Sequence, residues 1–177
     1  MTVLRTPEER FDGLKDFNFE PNYFEVCHGE DKLRMHYLDE NSSSKEVVLL
    51  LHGEPSWCYL YRKIIPHLVE AGKRVIAPDL IGFGKSDKYK DKEAYTYANH
   101  IDWTSQLFDH LELDNIILFA HEQIKLCYLT LSDQIVETSN QYDLHKYRLL
   151  YLYIYLIFQT QLNQVLLPSS QLQLGAE

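Results

Sequence analysis

A chain of 177 residues, 45% hydrophobic and 24% charged, is long enough to bury one core and has the composition of a globular domain. Its 17 basic and 26 acidic residues leave a net charge of −9, which excludes the basic stripe a nucleic-acid binder needs. Three scattered cysteines, Cys27, Cys58 and Cys127, form no metal-ligand spacing or disulfide framework and predict a reducing, cytoplasmic setting.

In chain order, the first residues carry charges with no apolar segment, so no secretory leader is expected. "YFEVCHGEDKLRMHYLDE" (23–40) predicts a hairpin, with strands near 23–26 and 34–38 and a turn at Gly29. "NSSSK" (41–45) is a polar loop. "EVVLLL" (46–51) is a continuous apolar run, as in a strand covered on both faces. "YLYRKIIPHLVEAG" (59–72) has helical periodicity, with Leu60, Ile64, Leu68 and Val69 on one side, and Pro66 is expected to kink or restart it. "RVIAPD" (74–79) is another buried strand, 95–113 a long amphipathic helix, and "NIILFA" (115–120) the next strand. A hairpin followed by alternating strands and helices implies an α/β fold with a mostly parallel sheet, whose function sits at the carboxyl ends of the strands.

Beyond Glu122 this grammar stops. Residues 123–177 hold one glycine and one proline and are rich in tyrosine, leucine, isoleucine and glutamine. Two units are therefore expected, 1–122 and a divergent tail, 123–177. The longest apolar run, "LLYLYIYLIF" (149–158), is short of the roughly 20 residues a membrane span needs. No membrane partner is expected.

Three strand-end motifs carry candidate chemistry. "GKS" at Gly84 to Ser86 lacks the earlier glycine of a phosphate loop, since Asp79 stands there. It reads as a tight turn through Gly82 and Gly84, with Asp79 and Asp87 bonding its backbone. "HEQIK" (121–125) ends in Lys125 where a zinc-binding helix needs a second histidine, so no metal is assigned. "HGEPSW" comprises His52, Gly53, Glu54, Pro55, Ser56 and Trp57. A backbone N–H just after Gly53 can point above the sheet and form half of an oxyanion hole, with Glu54 at its rim. As plain structure, the same stretch is a strand-to-helix loop with Pro55 near the helix start.

The stretches "VLRTPEERFDGL" (3–14), "FEPNYFEV" (19–26), "LRMHYLDE" (33–40), "LLLHGEPSWCYLYRKIIPHL" (49–68) and "RVIAPDLIGFGKSDK" (74–88) resemble the haloalkane dehalogenases of the α/β-hydrolase family. Epoxide hydrolases are the next most similar group. The resemblance covers residues 3 to about 120 and implies an incomplete α/β-hydrolase sheet, with a hairpin before the parallel strands. It further implies a small apolar or halogenated substrate and no cofactor. The implied mechanism is covalent: an aspartate on a strand-to-helix elbow displaces the halide, held by a following tryptophan and by a second side chain from the cap or from the loop corresponding to Glu54, and a histidine oriented by an acid activates the hydrolytic water.

At the elbow, Glu122 stands in the aspartate's place, Gln123 in the tryptophan's, and Ile124 and Lys125 in those of two glycines. Beyond Glu122 the one histidine is His145, expected to be a tail residue. The resulting expectation is a truncated dehalogenase-like hydrolase without activity. The alternatives are an active hydrolase using Glu122 in a rearranged site on epoxide or ester substrates, and a non-enzymatic binding module.

Overall fold

The computed structural model describes residues 1–113, 116–120 and 147–148. Two paired sheets organise them. The smaller joins β1 (Val3–Leu4) to β6 (Lys88–Tyr89) in antiparallel register. The larger contains β2 (Asn22–His28), β3 (Asp31–Glu40), β4 (Val47–Leu51), β5 (Arg74–Pro78), β7 (Ile116–Ala120) and β8 (Tyr147–Arg148). Their order across the sheet is β2-β3-β5-β4-β7-β8. The β2–β3 and β3–β5 pairs are antiparallel, and the β5–β4, β4–β7 and β7–β8 pairs are parallel.

The expected hairpin is present, with strands longer than their apolar centres. Gly29, at a φ of 60°, supplies the left-handed residue of its turn. The 46–51 run is covered on both sides as read. Val48 and Leu50 pack with Leu38, Val75 and Ala77, while Val47, Leu49 and Leu51 pack with Ile76 and Ile116. Alternate side chains of one strand thus enter two cores, so none can be polar.

Each core has its helix. α1 (Ile64–Glu70) sends Ile65 into the first, beside Cys58 and Tyr61. α2 (Tyr97–His110) buries Trp103 and Leu107 against Val26, Leu33 and Met35, and leans Phe108 on the Ile76 side. Thr96 caps α2, its side chain accepting the Asn99 N–H at 3.1 Å.

The helix expected over 59–72 is two pieces. A 3-10 turn, Cys58–Tyr61, precedes α1, and Pro66 sits third in α1. First-turn N–H groups have no intrahelical acceptor, so a proline there removes no bond. The break rotates Leu60 off the apolar side, and it is 43% exposed instead of buried.

Residues of the tail pair with β7, Ile116 with Tyr147 and Ile117 with Arg148. The tail therefore contributes a short strand that its composition did not announce. The apolar run 149–158 and His145 lie outside the described residues.

Candidate functional site at the β4 switch point

In the parallel half of the sheet, β4 lies between β5 and β7, its next two parallel strands in the chain. The chain passes from β4 to β5 on one side and then crosses back to β7 on the other, which opens a crevice outside the carboxyl end of β4, the usual binding place in open α/β sheets. "HGEPSW" leaves β4 at that point. Leu51 is in register with Ala120, so β7 ends at the same level.

His52 is fully buried. Its Nε2 accepts the Leu80 N–H at 2.9 Å, and Nδ1 lies 3.2 Å from the Gly53 carbonyl, to which it donates. This fixes a neutral imidazole, protonated at Nδ1. Burial lowers its pKa, against the smaller pull of the Asp79 charge. Gly53 closes a turn in which its carbonyl accepts both the N–H and the hydroxyl of Ser56, each at 2.9 Å. The Glu54–Pro55 peptide within it is cis.

Glu54 and Pro55 are exposed. Among the described residues the Glu54 N–H meets no acceptor. Trp57 is half-buried in an aromatic group, stacked on Tyr59 with centroids 5.5 Å apart and edge-on to Phe11 and Phe17 at 5.3 Å. It braces the loop rather than facing the crevice alone. Glu122 and Gln123 lie outside the described residues, as does His121.

The neighbouring loop, from Asp79 to Asp87, is the tight turn expected in place of a phosphate loop. Asp79 is fully buried. Its Oδ1 accepts the Cys58 N–H and its Oδ2 accepts the Lys85 N–H and a His36 ring nitrogen, all at 2.8 Å. Burial alone would raise its pKa, but these bonds and the nearby imidazole hold the carboxyl below the usual range. Gly84 crosses directly over this carboxylate, and a Cβ there would stand 2.2 Å from Oδ2. Asp87 accepts both guanidinium contacts of Arg5, at 2.6 and 2.8 Å, and the Arg34 N–H at 2.8 Å. The N-terminal "RTPEERF" stretch is thereby tied to the turn.

Two links therefore cross between the site loops. His52 of the first holds Leu80 of the second, and Asp79 of the second holds Cys58 of the first. Tyr61 adds a third restraint, its hydroxyl donating to the Leu51 carbonyl at 2.7 Å. The sequence reading noticed Asp79 as a turn former but missed His36, Cys58 and Tyr61. Nothing in their spacing marks them, because their partners are 10 to 43 residues away.

This architecture, an antiparallel hairpin leading into parallel strands with a strand-end loop at the β4 switch point, is part of an α/β-hydrolase fold. Residues 46–122 match the family model described as alpha/beta hydrolase fold. The N-terminal part of the chain more particularly resembles haloalkane dehalogenases. Over 123 residues it is 56% identical to a haloalkane dehalogenase of Psychrobacter cryohalolentis and 50% identical to one of Mycolicibacterium paratuberculosis. Each match covers 69% of this chain and 41% of the relative, so the match spans well under half the length of those relatives. Among solved structures, a tetrameric haloalkane dehalogenase from Paraglaciecola agarilytica matches with a TM-score of 0.73 at 40% identity. That match covers 84% of this chain and 47% of the other. A Vigna radiata epoxide hydrolase follows at a TM-score of 0.58 and 28% identity, covering 67% of this chain and 36% of its own.

Proposed function

We propose that this chain is a dehalogenase-like hydrolase scaffold that does not turn over carbon–halogen bonds as it stands. The observation that carries the reading is the register of Ala120 with Leu51, which ends β7 level with the strand end from which "HGEPSW" leaves. In the resemblance, the stretch after β7 supplies the nucleophilic aspartate, a halide-holding tryptophan and two glycines. Here it reads Glu122, Gln123, Ile124 and Lys125.

Each difference opposes the covalent step. A glutamate carries its carboxylate one methylene further, and a misplacement of about 1 Å can cost roughly 100-fold in rate. Gln123 donates hydrogen bonds with a different shape and reach from an indole N–H. Branched Ile124 cannot adopt the tight backbone that glycine allows at a nucleophile elbow. The substrate class of the scaffold remains a small apolar or halogenated molecule, and the resemblance implies no cofactor.

The test is halide release from a short 1-haloalkane by the full chain, followed by measurement of protein mass. The expected outcome is no multiple turnover, either in the unmodified chain or in Glu122→Asp, where the glycines are still absent. At most a single slow alkylation of protein is expected, because ester formation and ester hydrolysis need different groups. Sustained halide release by the unmodified chain would overturn the proposal in favour of an active site rearranged around Glu122.

A further inference from the structure

We propose that His36, Cys58 and Asp79 form a buried site for a thiophilic divalent cation of the zinc class, lying beneath the two loops of the candidate site. Three elements supply these side chains: β3, the start of the Cys58–Tyr61 turn, and the residue after β5. All three are fully buried, and one donor atom from each lies within 4.8 Å of the others. A tetrahedral ion with bonds of about 2.0–2.3 Å holds its donors roughly 3.5 Å apart, so the widest spacing closes by about 1 Å and the His36–Asp79 pair opens slightly.

Two of the three groups are oriented by the protein itself. Backbone N–H groups of Cys58 and Lys85 hold the Asp79 carboxylate from two sides at 2.8 Å. His36 is held at Nδ1 by Asp79 Oδ2, also at 2.8 Å, while its Nε2 is buried and has no partner among the described residues. For Asp79 to be a ligand the cation must take Nδ1, replacing the hydrogen bond between Nδ1 and Asp79 Oδ2, and the ring proton then resides on Nε2.

The donor set selects the ion. Nitrogen, sulfur and oxygen together suit zinc or cobalt, whereas magnesium and calcium require oxygen throughout. Binding exchanges the Cys58 thiol proton for the cation. The S–H bond breaks, a sulfur–metal bond forms, and the proton leaves to solvent. One thiolate and one carboxylate then balance the dipositive charge beside a neutral imidazole. The bound ion would pin the loop after β4 to the loop after β5, whatever the chemistry above them.

The experiment uses the full chain carrying Cys27→Ser and Cys127→Ser, in which Cys58 is the sole thiol. Cobalt(II) is titrated into chelator-treated protein while near-ultraviolet circular dichroism monitors the fold. The expected result is a sulfur-to-cobalt charge-transfer band that saturates at a single equivalent and is bleached by zinc. Zinc should also raise the thermal midpoint reversibly, and His36→Ala on the same background should weaken the band. A folded chain with no such band would overturn the proposal, as would a band that His36→Ala leaves unchanged. Halide release is not read in this experiment, so its outcome is independent of the catalytic proposal.

Discussion

Single residues decide how the two site loops are held, and they do so at atoms that tolerate little change. His52 accepts a backbone N–H only while its Nε2 is unprotonated. Because burial depresses its folded pKa, the imidazole is neutral in both folded and unfolded chains above the ordinary histidine value of about 6.5. As pH falls below that value, the unfolded chain takes up the proton first. Stability is then lost progressively until the folded pKa is reached. His100, also depressed by burial, contributes in the same direction. The urea midpoint is therefore expected to fall as pH drops below about 6.5. The fall should be shallower in His52→Gln, which carries no titrating group. Equal slopes in the two proteins would remove His52 from this role. The sequence made the loop legible at Gly53 and Glu54, whose types are unusual at a strand end. It hid the function of His52, because a histidine beside a glycine does not show that its partner is Leu80, 28 residues away.

At the scale of elements, periodicity was a good guide wherever burial was uniform. β4 and β5 were legible as apolar runs because both faces of each are covered, and β7, partly buried beyond Ile116, because its side chains enter the same two cores. The 59–72 stretch misled because its apolar spacing continues through a break. Pro66 signals a restart without saying that the chain before it is 3-10, and the rotation this introduces is what exposes Leu60. β1 was unread because a two-residue strand has no period at all. The edge strand β2 shows a further device outside any local pattern. The Gln106 side chain accepts the Cys27 N–H and donates to the Cys27 carbonyl, both at 2.9 Å. A helix side chain thus occupies two groups that a free edge would offer to another strand. Gln106→Ala is expected to cost about 1 kcal/mol, since Cys27 is exposed and water replaces most of what is lost. Its larger effect should be on association. Sedimentation at rising concentration should show more dimer than the unmodified chain, and identical profiles would show that Gln106 does not guard the edge.

For the whole molecule, the opposite end of the sheet is the one that governs behaviour in solution. β8 covers β7 only at Ile116 and Ile117, and among the described residues Leu118 to Ala120 have no partner on that side. The chain just beyond β8 is "LLYLYIYLIF", ten residues of high β-propensity without charge, proline or glycine. Such a segment is the signature of self-association through stacked strands. Opposing it is the net charge of −9, which keeps separate chains apart through solvent. That repulsion is screened by salt, with a Debye length of about 10 Å at 0.1 M falling to about 3 Å at 1 M, whereas apolar strand pairing is not weakened. Raising the salt concentration should therefore shift the 177-residue chain from monomer towards larger species. A chain ending after Arg148, which keeps β8 and lacks the apolar run, should stay monomeric over the same range. Light scattering across a salt series compares the two directly. If both chains respond alike, the apolar run is packed or harmless, and association must be traced instead to the sheet edge at Leu118.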